Sequence, residues 1–206
     1  MNGNLKHWYD GWFYDNFIAP SQDKAFEIVK NLMDDDSSLL DAGCGTGRFC
    51  FQIIDKCSKI HGVDASIKNI NTANKNYDSN YHHKIKFYHN DIKSFFEENK
   101  NKFDYAILSY VIHEIDEKNR VGILKILSLY ADKIIIVDYL SPHPKTFTGI
   151  SNRLVEFVAG KTHYKNFKTY LKKGGIKGLA QQSDFKFIID IKNNPPTSHI
   201  AILSKE

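Results

Sequence analysis

From residue 21 to residue 140 the apolar positions of the chain switch repeatedly between helical and extended spacing. Ala25, Ile28, Val29 and Leu32 recur at i, i+3, i+4 and i+7, which predicts a helix capped by Ser21 and ended by the polar run 34–37. Residues 38–42 predict a short buried strand running into a glycine loop, 48–57 a helix, and 59–64 a second strand. Ser66 caps a predicted helix that reaches about Tyr77, and 85–89 alternates as a third strand. A fourth strand is expected at 103–109 and a helix at 117–129. Residues 133–139 contain Ile134, Ile135, Ile136 and Val137, the unbroken apolar pattern of a strand buried on both faces. This rhythm specifies a parallel sheet with helices on both sides and a ligand crevice at the carboxyl ends of its strands. It breaks after Ser141-Pro142-His143-Pro144. Helices are expected at about 149–159 and 164–172, closed by Gly174 and Gly175. Two strands, 185–191 and 199–203, then form an antiparallel hairpin through Asn193-Asn194-Pro195-Pro196.

Composition narrows the classes. The chain has 206 residues, 42% hydrophobic and 25% charged, which suits one globular domain spanning 1–206. Within it, residues 1–20 read as an N-terminal lid segment and 141–182 as a helical cap over the substrate side. Apolar runs stop at about four residues, too short for a bilayer-spanning helix. The opening residues lack an apolar h-region, so a cytoplasmic location is expected. Three cysteines, Cys44, Cys50 and Cys57, make neither a disulfide framework nor a four-cysteine zinc pattern, and no metal is expected. The formal charge is +4. The densest basic stretch, 161–177, carries Tyr164, Phe167, Tyr170 and Leu171 at helical spacing, so it reads as the solvated face of an amphipathic helix and no nucleic-acid partner is expected.

The candidate chemistry starts at Asp41-Ala42-Gly43-Cys44-Gly45-Thr46-Gly47. Glycine permits a tight turn and close approach of a ligand to the backbone. The dinucleotide fingerprint G-x-G-x-x-G would need glycine at 48, which is Arg48, so the spacing disfavours NAD. A carboxylate at Asp41 would repel a pyrophosphate and attract an ammonium or sulfonium. S-adenosylmethionine is a nucleoside with such a cationic end. Asp64 ends the second strand, placed to bond ribose hydroxyls, or else to cap the helix opened by Ala65 and Ser66. Asp91 ends the third, placed to accept from an adenine amino group while Ala65 and Ile92 sandwich the ring, or else to serve a turn.

On these residues the chain resembles the class I S-adenosylmethionine-dependent methyltransferases. The resemblance implies a Rossmann-like, doubly wound seven-stranded α/β sheet, mostly parallel with an antiparallel last strand. It implies that Gly43, Cys44 and Gly45 cradle the cofactor, with Asp64 as ribose acid and Asp91 as adenine-edge acid. It implies too that Ser109, ending the fourth strand, lies beside the methionine part, and that an aromatic of the N-terminal segment, Tyr14 or its rival Tyr9, covers it. The exocyclic-amine base modifiers of this fold carry an Asn/Asp-Pro-Pro-aromatic run after the fourth strand, where this chain has Ser109-Tyr110-Val111-Ile112. It also lacks the Pro-Cys nucleophile of the cytosine C5 enzymes and the strand-end aspartate of the metal-dependent catechol type. Val111-Ile112-His113-Glu114-Ile115 is similar instead to the small-molecule branch that includes quinone-biosynthesis C-methyltransferases. The expected activity is methyl transfer to a small-molecule acceptor by in-line displacement, with S-adenosylhomocysteine as product. His113 is the first candidate general base because it can titrate near neutrality; Glu114 orients it or replaces it, and His163 and Tyr164 come second. A catalytically silent cofactor sensor or partner subunit, an NAD-dependent oxidoreductase and an aminopropyl transferase remain as alternatives.

Overall fold

Among the described residues these patterns resolve, in a computed structural model, into fifteen elements. The structure describes residues 19–76, 83–144, 146–158, 160–193 and 196–205. In chain order they are α1 (Ala19–Leu32), β1 (Ser37–Ala42), α2 (Arg48–Gln52), β2 (Cys57–Asp64), α3 (Ile67–Lys75), β3 (Ile85–His89), α4 (Ile92–Glu98), β4 (Phe103–Ser109), α5 (Glu117–Tyr130), β5 (Ala131–Tyr139), α6 (Phe147–Val158), α7 (Lys161–Lys172), α8 (Gly175–Ser183), β6 (Phe185–Lys192) and β7 (Ser198–Lys205). The sheet order is β3-β2-β1-β4-β5-β7-β6. β1 pairs in parallel with β2 and β4, and β4 with β5, while β7 runs antiparallel between β5 and β6. This is the expected doubly wound sheet with an antiparallel last strand. The winding reverses at β1, so the crevice opens at the carboxyl end of that strand, where the glycine loop begins.

The period-2 geometry of a strand explains the two apolar layers. Leu40, Ala106, Leu108, Ile134 and Ile136 face one side and pack with Phe95, Phe96, Leu124, Leu127, Ile176 and Leu179. Leu39, Tyr105, Ile107, Ile135 and Val137 face the other and pack with Ala25, Val29, Phe49, Ile53 and Ile70. Complete burial of an aliphatic side chain contributes about 1.5–3 kcal/mol, so each strand is held from both faces.

Several boundaries differ from the expected ones. α1 starts at Ala19, ahead of Ser21. α2 stops at Gln52, and Cys57 opens β2 instead of closing a helix, because its buried thiol belongs to the sheet layer. Two helices were not anticipated. α4 is opened by Asp91, whose side chain accepts from the Ser94 amide. α8 starts where the glycine pair was expected to end helical structure, and buries Ile176, Leu179 and Ala180. The stretch 141–182 therefore divides: α6 packs with α7, whereas α8 lies against α5 and the β5, β6 and β7 strands. The lid segment with Tyr9 and Tyr14 lies outside the described residues.

Candidate active site

The glycine loop is pinned to the neighbouring strand. The amides of Gly43 and Cys44 both donate to the Val63 carbonyl, at 2.7 and 3.1 Å. Gly43 has φ +87°, and a Cβ there would stand 2.5 Å from Val111 Cγ2, so only glycine fits. Asp64 clamps the loop to the next helix: Oδ2 accepts from the Gly45 amide at 2.9 Å and Oδ1 from the Ser66 amide at 2.8 Å. Asp91 gives Oδ1 to the Ser94 amide and Oδ2 to the Ser94 hydroxyl, at 3.0 and 2.8 Å, and these bonds hold its pKa below the usual carboxylate value. Gly43, Asp64, Ala65, Asp91 and Ile92 line one cavity of about 490 Å³, together with Val111, Ile115 and residues of α5. The structure thus brings five of the expected residues together. Asp41, Cys44, Gly45 and Ser109 are not part of that lining.

Asp41 lies beneath the loop, 1% exposed. The Cys50 thiol donates to Oδ2 at 3.1 Å, and Oδ1 has no hydrogen-bond partner among the described residues. Burial and, secondarily, the Asp64 charge push its pKa up to about 7, against the lowering effect of the Cys50 bond. The cysteines are free, and burial raises the pKa of all three, that of Cys57 to about 11, so none supplies a thiolate near neutrality.

The chain leaves β4 through a strained residue. Tyr110 has φ +56° and donates its amide to the Val137 carbonyl at 2.7 Å, while its hydroxyl pairs with Ser198 Oγ at 2.6 Å. A bulky residue in the left-handed region persists only where its surroundings impose it. The loop then carries His113 and Glu114 into a charged network. His113 Nδ1 bonds Asp138 Oδ1 at 2.7 Å, and its amide donates to Oδ2 at 3.2 Å. Its Nε2 stands 3.5 Å from Glu156 Oε1 and 3.9 Å from Glu114 Oε1. His163 lies between Glu156, at 3.2 Å from Nδ1, and Glu114, at 3.3 Å from Nε2. The Tyr139 hydroxyl donates to Glu156 Oε1 at 2.9 Å.

Burial alone would keep His113 neutral, but Asp138 and Glu156 outweigh it and raise its pKa well above the ordinary imidazole value. Glu114 and Glu156 raise His163 to about 9 against its burial. Burial would raise Glu156, yet His113, His163 and Tyr139 together hold it far below the usual range. Both shifts favour the imidazolium form, and the two rings are interleaved with three carboxyl groups. Of these groups Glu114 is the most open, its side chain 44% exposed.

The backbone of this loop is fastened from outside. Buried Arg120 on α5 donates from Nε to the Ile115 carbonyl at 3.0 Å and from Nη2 to the Asn166 carbonyl at 2.6 Å. Asn166 on α7 donates its side-chain amide to the Glu114 carbonyl at 2.7 Å. Sequence reasoning did not single out Asp138, Tyr139, Glu156, Arg120 or Asn166. One signal was visible: Asp138 is an acid in a doubly buried strand, and a buried charge requires a partner.

A family model described as a methyltransferase domain matches residues 33–186. The chain belongs to that methyltransferase family. Expectation and finding agree at this level: it is an S-adenosylmethionine-dependent methyltransferase of the Rossmann-like class. Solved structures show the same fold at low identity. Magnesium protoporphyrin IX methyltransferase (ChlM) from Synechocystis PCC 6803, with bound SAH, is 17% identical with a TM-score of 0.67, over 96% of this chain and 91% of that one. The mitomycin 7-O-methyltransferase MmcR is 14% identical with a TM-score of 0.67, over 91% of this chain, and the pyocyanin biosynthetic protein PhzM is 14% identical with a TM-score of 0.66, over 89%. The methyltransferase spans 55% of the length of each of these two. No curated protein matches it significantly.

The residues present fit a nucleoside with a cationic end. Among the described residues Asp41 Oδ1 is a buried carboxyl oxygen without a donor, and an unmatched acceptor of that kind is costly until a donor arrives. Gly43 leaves the backbone bare at the strand end, and Asp64, which accepts from the Gly45 and Ser66 amides and from the Asn69 side chain, keeps a further lone pair on Oδ2. A diphosphate would meet two carboxylates here, Asp41 and Asp64, and no glycine at position 48. Among the described residues no cluster of His, Cys, Asp and Glu has the form of a metal site, and no helix is long and apolar enough to cross a membrane.

Proposed function

We propose that this methyltransferase moves a methyl group from S-adenosylmethionine to a small-molecule acceptor by in-line displacement. The observation that carries the acceptor class is the roof over the loop after β4. α6 is tied to that loop through Glu156, and α7 through Asn166 and the Arg120 bridge, so among the described residues these two helices roof the loop after β4, which supports a compact acceptor. ChlM and MmcR, by name, act on a porphyrin and on mitomycin, which agrees with a compact acceptor.

When bound, S-adenosylmethionine supplies an electrophilic methyl on a sulfonium whose leaving group is a neutral thioether. What remains for the chain is mostly positioning, and well-held reacting pairs reach effective molarities of about 10⁵–10⁸ M. Asp41 holds the cationic end, Asp64 the ribose and Asp91 with Ala65 and Ile92 the base, while Ser109 borders the methionine part. Asp138 and Glu156 favour the protonated form of His113, which is 1% exposed. It therefore acts as a fixed cation that orients Glu156 and Glu114, and Glu114, paired with His163, takes a proton from an acceptor that arrives protonated. A base of this kind contributes about 10²–10⁴-fold.

Isothermal titration calorimetry with S-adenosylhomocysteine tests the binding half. Wild type should bind, and Asp64→Asn should bind about ten- to a hundredfold more weakly, from roughly 1.5–3 kcal/mol per charge-assisted bond. No heat at millimolar ligand, or an unchanged affinity in the variant, rejects the assignment. The acceptor half is tested by S-adenosylhomocysteine release over a panel of phenols, amines and activated carbon acids, with Glu114→Gln expected to lower kcat more than the affinity for the acceptor.

A further inference from the structure

We propose that the outer face of α6 and α7 docks onto an anionic lipid bilayer, with the α6 side chains entering the apolar layer and the α7 lysines meeting the phosphate headgroups. Seven large apolar side chains are conspicuously exposed among the described residues, and four of them are on α6. Ile150, Leu154, Phe157 and Val158 are 61%, 58%, 62% and 46% exposed. Their spacing, i, i+4, i+7 and i+8, places them on one face of the helix. The opposite face carries Glu156, which anchors α6 to Tyr139 and His163 in the interior. Among the described residues the helix is therefore held from one side and bare on the other.

The second observation is charge. Lys161, Lys165, Lys168 and Lys172 recur at i, i+4, i+7 and i+11 on α7, all exposed. None of the four has an ion-pair partner among the described residues, whereas Lys173 and Lys177 of the same basic stretch pair with Glu117 and Asp190. The two stripes adjoin. Phe157 meets Tyr164 edge to face at 5.4 Å, and Lys168 Nζ lies 5.4 Å from the centroid of that same tyrosine ring. Arg153 of α6 and Lys165, Lys168 and Lys172 of α7 border one apolar hollow of about 450 Å³ floored by Phe167 and Leu171. Apolar side chains beside a row of cations are the composition of a helix pair that lies in the plane of a membrane interface. A second copy of this chain would bring the same unpaired lysines against the patch, and a soluble polyanion would leave the α6 face in water. The basic stretch read from sequence as a merely solvated face thus has a ligand chemistry, the lipid phosphate.

The test is co-sedimentation of the full chain with vesicles of phosphatidylglycerol and phosphatidylcholine in equal parts, and with vesicles of phosphatidylcholine alone. Binding should be confined to the anionic vesicles and should fall as salt rises. Lys165→Gln/Lys168→Gln/Lys172→Gln should weaken it about a hundredfold, from the usual contribution of each basic residue at an anionic surface. Leu154→Ser/Phe157→Ser should weaken it at least about tenfold. Both variants should keep the wild-type circular dichroism and S-adenosylhomocysteine affinity, so loss of vesicle binding is not loss of fold or of the cofactor site. Equal binding to both vesicle types, undiminished binding by the lysine variant, dimerisation through α6, or binding to heparin without vesicles overturns the proposal.

Discussion

Replacing Asp41 with Asn separates what the folded chain prefers from what a cationic ligand requires. The carboxyl is buried, half-satisfied by Cys50, and its pKa is raised from 3.8 to about 7. The unfolded chain loses this proton near 3.8, while the folded chain keeps it until about 7. Between those values the unfolded state binds fewer protons, so the ligand-free protein loses stability as pH rises through this window and levels off above it. At 1.36 kcal/mol per pKa unit the full penalty at neutral pH is about 4 kcal/mol. Local relaxation and water entry recover part of such a penalty, and taking half leaves about 2 kcal/mol. Asp41→Asn keeps the shape and removes the ionisation, so it should raise the melting temperature of the ligand-free protein at pH 7.5 by about 4–8 °C. At pH 4.5, where wild type keeps the proton and the unfolded carboxyl is only partly ionised, the gain should shrink to below about 1 kcal/mol. The same variant should bind S-adenosylmethionine about ten- to a hundredfold more weakly through loss of a charge-assisted contact. Wild-type affinity should increase from pH 6 to 8, with a proton released on binding that appears as a buffer-dependent calorimetric enthalpy. A variant destabilised equally at both pH values, or a wild-type affinity flat across that range, would refute the account of Asp41.

Gly43→Ala combines a left-handed φ of +87° with a Cβ 2.5 Å from Val111, so it should destabilise by at least about 1–3 kcal/mol in urea titration and abolish S-adenosylhomocysteine binding. Asp138→Asn strips the buried His113 imidazolium of its main counter-charge and should cost about 3–5 kcal/mol of unfolding free energy. Because His113 is raised in the folded state, its stabilisation is full below about pH 6.5 and is lost as pH climbs through the higher folded value, so the variant should also flatten the alkaline limb of the stability curve. In nuclear magnetic resonance the His163 ring should titrate near pH 9, and Glu156→Gln should move that titration down toward 6.5; a wild-type titration near 6.5 would disprove the network.

What was legible in the chain was local. The strands and the glycine loop carry their cause in a few consecutive residues: β-branched runs, period-2 alternation and a turn only glycine can make. α4 was equally local yet hidden, because Asp91 was weighed as a ligand group and as a turn residue, and its third role, a helix cap whose oxygens both go to Ser94, opens that helix. α8 was hidden for the opposite reason. Its glycines read as a stop, but a Cβ at Gly178 would stand 1.7 Å from the Lys173 carbonyl, so glycine there lets the helix begin tight against the end of α7. The charged network is different in kind. His113 comes from the loop after β4, Asp138 from β5, Glu156 from α6 and His163 from α7, and no spacing rule links them. Only closure of the sheet and docking of α6 and α7 bring them within 4 Å. A single histidine after β4 was readable as a candidate base, but the property that decides its role, the charge it carries at rest, is set by partners 25 or more residues away. For this methyltransferase the donor side of the reaction is thus written in short motifs. The acceptor side is written in tertiary contacts, and changing Asp138 or Glu156, neither within the loop, should alter the chemistry of the loop as much as changing the loop itself.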